Sequence, residues 1–165
     1  MKPATINTPT NTQVEVVRSF AGPAASVWKP FTDADLVRRW MLGPPGWSMP
    51  ICELDFRVGG KYHNVFRNEA DGSEIAMHGE FRVIETLNKI VQDEKHTVGR
   101  SAENTGHETV VTITFQETNR GTTVSTLIEY PSQEARDQAL ASGMGAAMEM
   151  GYRRIDELIV AVPTT

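Results

Sequence analysis

The sequence predicts an α+β domain: one curved antiparallel sheet with its helices confined to one face. Seven β-type stretches are separated by short turns, and six of them follow one another closely after residue 49. That spacing is typical of a meander rather than of parallel crossovers. Two short helical patterns follow the first strand, and a long, largely helical segment closes the chain.

Residues 1–11 are rich in Thr, Asn and Pro and are expected to form a frayed arm, leaving 12–162 as one domain. "TQVEVVRSF" (12–20) is β-branched with partial alternation, a strand. In the next segment Ala24, Val27, Trp28 and Phe31 recur at helical spacing, with Pro23 at a favourable first position. Thr32 or Asp33 can cap a second short helix through Leu36, Val37 and Trp40. "LGPPGWS" (42–48) is a structured loop. Strands are then expected at about 50–57, 61–68, 74–85, 89–97, 108–117 and 122–130. Their turns fall at Gly59-Gly60, "NEADGS", "TLN", "RSAENTG" and "TNRG". Pro131-Ser132 ends the sheet, and the helical segment to about Ala161 is expected to break near Ser142-Gly143.

Composition narrows the function classes. The 165 residues are 39% hydrophobic and 22% charged, which suits one globular domain with a real core. Net charge is −5 with no basic block, which argues against nucleic acid and against an anionic membrane surface as partners. Cys52 is the single cysteine, so an intrachain disulfide is impossible. The N-terminus lacks the apolar stretch of a signal peptide, and no apolar run approaches the roughly 20 residues that span a bilayer. A cytoplasmic protein with no membrane partner is expected. Glycine-rich loops and sheet edges permit a homodimer without requiring one.

The turn "RVGGKY" decides which side chains face inward. A tight two-residue turn pairs Arg57 with Tyr62 and puts Glu53 and Asp55 on one face with Phe66. One extra residue instead places Cys52, Leu54 and Phe56 with Tyr62, Asn64 and Phe66. The second register separates apolar from charged residues better and is preferred. Met77, Phe81 and Val83 then point inward, with Val111, Ile113 and Phe115 later. On the last helix Met144, Met148, Tyr152 and Ile155 form one stripe, while Glu149, Arg153, Arg154 and Asp156 mostly face away. The same helix carries Gly143, Gly145 and Gly151, each costing about 1 kcal/mol relative to alanine in a helix interior. Methionine fills irregular space without fixing it. Two readings follow: a plain core with tolerated defects, or the adjustable wall of a cavity.

Four segments, "SVWKPFTDADLVRRWMLGPPGW", "CELDFRVGGKYHNVFRNEADGSE", "HGEFRVIE" and "SGMGAAMEMGYRRIDEL", resemble the activator-of-heat-shock-chaperone-ATPase-like group of the START/birch-pollen-allergen-like superfamily. The likeness runs in order from Val14 to Leu158. It is most specific at Val27-Trp28, at Trp40 with the following Gly-Pro, at the Arg-x-Gly-Gly turn and at the Gly-Met start of the last helix. The resemblance implies a helix-grip fold, a curved seven-stranded sheet around a long C-terminal helix, and commonly a deep apolar cavity for lipids, polyketides or other hydrophobic molecules. Where the group often has a second tryptophan, this chain has Met41, which leaves one wall of the pocket mouth more plastic. The chaperone activators carry a further N-terminal domain for which these 165 residues leave no room, so a chaperone partner is the weaker expectation.

The expected occupant is a hydrophobic or aromatic small molecule held by Trp40, Met41, Phe56, Tyr62, Asn64, Phe66, Phe81, Met144, Met148 and Tyr152. Asn64 and the hydroxyl of Tyr62 or Tyr152 are the expected orienting groups, since buried polar atoms need partners. The loop with Met41 and Trp47 beside Trp40 reads equally as a rigid hinge or as a gate.

No catalytic residue, cofactor or metal is expected. His63 and His78 lie on neighbouring strands and point outward, but zinc usually takes at least three protein ligands. His96 and His107 are read as surface residues. Glu53, Asp55 and Glu80 read as solvated charge, Cys52 as a buried inert thiol, and Gly59-Gly60 lacks the lysine and helix of a phosphate loop. The enzyme alternative is a cyclase or dehydratase using inward Tyr, Asn and Glu residues.

Overall fold

The structure, a computed structural model, describes residues 2–98 and 108–161. The elements run β1 (Thr5–Asn7), β2 (Gln13–Phe20), α1 (Ala24–Thr32), α2 (Ala34–Trp40), β3 (Trp47–Leu54), β4 (Lys61–Asn68), β5 (Glu74–Glu85), β6 (Lys89–Val98), β7 (Glu108–Thr118), β8 (Gly121–Glu129), α3 (Gln133–Ala141) and α4 (Met144–Ala161). One antiparallel sheet has the order β1-β2-β8-β7-β6-β5-β4-β3. The meander therefore returns to lie beside the first long strand, and α4 crosses the concave face. This is the α+β helix-grip arrangement.

The strand count differs from expectation by one. Ile6 pairs with Val16 and Thr5 with Val17, so part of the N-terminal arm is a short edge strand rather than frayed chain. A buried-face signal was missing because all three residues of β1 are exposed; backbone pairing and the contact of Ile6 with α4 hold it.

Local chemistry explains the helix ends. The Asp33 side chain accepts from the Asp35 N–H at 3.0 Å and starts α2. Pro23 stands one position earlier than expected, at the N-cap of α1. The Ala24 N–H donates instead to Glu117 of β7 at 2.6 Å. Between α3 and α4, Gly143 adopts φ +82°, a left-handed conformation that glycine tolerates, and the helix breaks there.

The register beside Gly59-Gly60 has the expected parity. Cys52 pairs with Asn64 and Leu54 with Tyr62. The strand ends at Leu54, however, and the longer connection pairs with β5, Gly59 N–H donating to Phe81 O at 2.8 Å. Val83 is a correction. A register shift between Phe81 and Val83 turns Val83 outward, where it is 37% exposed, and Ile84 packs on the core instead.

The core has a solid end and an open one. At the solid end α1 lies over the sheet, and Trp28 meets Phe115 and Phe56 with ring centroids 4.9 and 5.9 Å apart. Phe56 in turn meets Phe81 at 5.1 Å, and Phe81 meets Tyr62 at 5.3 Å. The helix α4 packs against β2, α1, α2 and α3, and toward the open end it stands off from the middle strands.

Candidate ligand pocket

The helix α4 faces the sheet with Met144, Met148, Tyr152 and Ile155, one stripe at helical spacing. Ile155 and Tyr152 are fully buried, and Tyr152 stacks on Trp40 with centroids 6.3 Å apart. Met148 and Met144, one and two turns before Tyr152, are only half-buried. They border a pocket of about 740 Å³ between α3–α4, the loop after α2 and the inner face of β4–β8.

Six of the ten residues expected at the site line this pocket: Trp40, Met41, Phe66, Met144, Met148 and Tyr152. Phe56, Tyr62, Asn64 and Phe81 do not. The reason is packing: Phe56, Tyr62 and Phe81 belong to the aromatic cluster that closes the solid end. The Tyr62 hydroxyl donates to the Asp93 main-chain carbonyl at 2.5 Å and is not free to orient a ligand. Asn64 is 2% exposed between Cys52 and Met77, with no hydrogen-bond partner for its Oδ1 among the described residues. Of the expected orienting groups only the Tyr152 hydroxyl borders the pocket, 3.4 Å from Thr126 Oγ1, and burial pushes its pKa up to about 12.

The loop after α2 contributes Met41, Gly43, Pro44 and Trp47 to the wall. Arg154 of α4 holds it by donating to the Trp40 and Gly43 carbonyls, both at 3.1 Å. Gly151 allows this approach: a Cβ there would stand 3.1 Å from the Trp40 ring and 3.2 Å from its carbonyl oxygen. Gly145 has a similar role toward β1, since a Cβ would overlap Ile6 Cδ1.

The polar wall was not foreseen. Gln92, Glu94 and His96 of β6 line the pocket beside Thr109 of β7. His96, read from sequence as a surface residue, sits at the rim with its side chain 53% exposed and its Nε2 3.3 Å from Glu94 Oε1. The Glu94 side chain is 18% exposed. Burial pushes its carboxyl above the ordinary range, against the opposing influence of His96 and a hydrogen bond from Gln92. Tyr130 at the end of β8 also lines the pocket; burial and the nearby Glu94 push its phenol up to about 12.

A second missed group is Arg18. It alternates with Val14, Val16 and Phe20 on the buried face of β2 and reaches two acids of α4. Its Nη1 and Nη2 donate to Asp156 at 2.8 Å, and its Nε and Nη2 donate to Glu149 at 3.3 and 3.2 Å. Glu149 and Asp156, expected to face away, thus clamp the helix to the sheet. The main-chain N–H of Ala4 adds a further bond to Glu149 at 2.8 Å. Elsewhere Glu53, Asp55 and Glu80 are exposed, and Cys52 is buried, its thiol pushed up by desolvation. His63 and His78 are cross-strand partners with ring centroids 6.5 Å apart. Among the described residues no group of three or more His, Cys, Asp or Glu is placed to hold a metal ion, and no helix is long and apolar enough to cross a membrane. His107 lies outside the described residues.

A grip of this kind, with two short helices after the first long strand and a pocket under the last helix, agrees with the family comparison. The family model described as "Activator of Hsp90 ATPase homolog 1-like protein" matches residues 21–159. The chain belongs to this family. Solved structures agree over nearly the whole chain. A Rhodobacter sphaeroides protein is 27% identical with a TM-score of 0.88, covering 98% of this chain and 100% of that one. A Mycobacterium smegmatis protein is 21% identical with a TM-score of 0.84, covering 98% and 100%. A Nitrosomonas europaea protein is 20% identical with a TM-score of 0.79, covering 93% and 97%. The search of curated proteins finds no significant match. The fold is that of a superfamily of ligand-binding and co-chaperone-like domains.

Proposed function

We propose that the protein takes up a hydrophobic or aromatic small molecule between its sheet and α4. The observation that carries this reading is the pocket itself. Its volume of about 740 Å³ falls in the range of small-molecule sites, roughly 300–1,000 Å³. Its walls carry Met, Trp, Phe, Ile and Val side chains, with polar side chains on β6, β7 and β8 and on α3 and α4. Trp40 and Trp47 border it, so occupancy alters intrinsic fluorescence. The loosely packed Met144 and Met148 supply a wall that conforms to its occupant.

The test is a titration of the full chain with Nile red, a neutral apolar dye, followed by dye emission and tryptophan quenching. Micromolar, saturable binding by the wild type is expected. Met148→Trp, which fills the pocket from α4, should abolish it while leaving the far-UV circular dichroism unchanged. Absence of saturable binding by the wild type, or undiminished binding by the folded variant, would overturn the reading.

A further inference from the structure

Given a pocket that admits small molecules, as proposed above, we infer that its ligand carries a basic nitrogen, an aliphatic amine, bound at Glu94. Among the described residues that line the pocket, Glu94 is the single carboxylate, and lysine and arginine do not occur. A carboxylate at an apolar wall repels an anionic ligand and attracts a cationic one, and the low local polarity strengthens both effects.

The neighbouring polar groups are already engaged with the protein. The Thr109 hydroxyl donates to the Glu94 main-chain carbonyl at 3.3 Å, and the Tyr130 hydroxyl donates to Met144 Sδ at 3.5 Å. Thr126 and Tyr152 are each other's partners. Glu94 itself has capacity to spare. Its oxygens offer about four lone-pair positions, and the groups beside them are the His96 ring and the Gln92 amide. His96 stands at the rim, half-exposed, and can yield its place to an incoming ammonium. Burial disfavours the carboxylate anion here; an alkylammonium supplies the charge and the donors that water supplies elsewhere. The alkyl part then lies along Met77, Val111 and Ile128 of the sheet, with Met148 of α4 facing them across the pocket.

The experiment compares dodecylamine, dodecanol and dodecanoate as competitors of Nile red on the full chain, each below its aggregation concentration. The assay is run at pH 8, where an alkylamine is charged. The amine should bind at least about tenfold more tightly than the alcohol, because a hydrogen bond to a charged group contributes more than a neutral one. Dodecanoate should be the weakest. In Glu94→Gln the amine's advantage should vanish, while dodecanol, which also reports that the variant is folded, keeps its affinity. Equal binding of amine and alcohol, tightest binding of dodecanoate, or an amine preference that survives Glu94→Gln would overturn the amine assignment and leave the pocket reading standing. Failure of Nile red and all three competitors to bind the wild type overturns both.

Discussion

Replacing Arg18 with methionine removes the charged centre that ties α4 to the sheet. The Arg18 side chain is 1% exposed and holds Glu149 and Asp156, which are 14% and 31% exposed. Removing one partner of a buried ion pair costs about 3–5 kcal/mol, because the remaining charge is left uncompensated. Here the two carboxylates can partly rehydrate, and Glu149 keeps Arg153 at 3.1 Å and the Ala4 N–H at 2.8 Å. The loss should therefore lie at the low end, about 3 kcal/mol. Urea unfolding followed by tryptophan emission measures it. With a slope of about 1–3 kcal/mol/M, the midpoint should fall by about 1–3 M at unchanged slope. The triple variant Arg18→Met/Glu149→Gln/Asp156→Asn should recover most of the loss, since the penalty resides in the stranded charges. A fall below about 0.5 kcal/mol in Arg18→Met, a size typical of surface substitutions, would refute this account of the clamp.

The same clamp makes stability depend on pH. Burial alone would raise the Glu149 pKa, but the hydrogen bonds from Arg18, Ala4 and Arg153 outweigh it and hold the carboxyl below its ordinary range. A depressed folded pKa contributes stability that is fully present above the unfolded value of about 4.3 and is lost as pH falls through the folded value. Melting temperature measured from pH 6 to pH 2 should fall in that window for the wild type and less steeply for Arg18→Met; parallel curves would contradict it. The two close-approach glycines should respond differently to alanine. In Gly151→Ala the new Cβ meets the Trp40 ring and carbonyl, which cannot swing aside, so a loss of about 1–3 kcal/mol is expected in urea unfolding despite the gain in helix propensity. In Gly145→Ala it meets only the tip of half-exposed Ile6, and stability should stay within about 0.5 kcal/mol; equal losses in both would refute the assignment.

The failures of sequence reasoning have specific causes. Alternation located Met77, Phe81, Val111, Ile113 and Phe115 on the inner face, and all five are buried. It failed at Val83 because a bulge is a one-residue backbone event that leaves no mark in a two-residue period. It was silent on the middle of β6 because residues 92–96 are polar on both faces: Gln92, Glu94 and His96 on one, Asp93 and Lys95 on the other. Only the pairing of Gln92 with Val111 and of Glu94 with Thr109 reveals which set looks into the pocket.

Turn residues, apolar periods and helix-break signals in the sequence by themselves determined the element order, the antiparallel meander and the inward stripe of α4. These depend on interactions between near neighbours in the chain, so local patterning suffices. Which inward residues fill the grip and which border empty space was decided by the tertiary structure alone. Phe56, Tyr62 and Phe81 point inward as Phe66 does, yet they close into one ring cluster that reaches Trp28 of α1, and α4 stands away from the strands beside Phe66. The same holds for Arg18, whose burial depends on two acids more than 130 positions away reaching it from the last helix. A pocket is a property of distances between elements, and those distances are set by the whole packing rather than by any one segment.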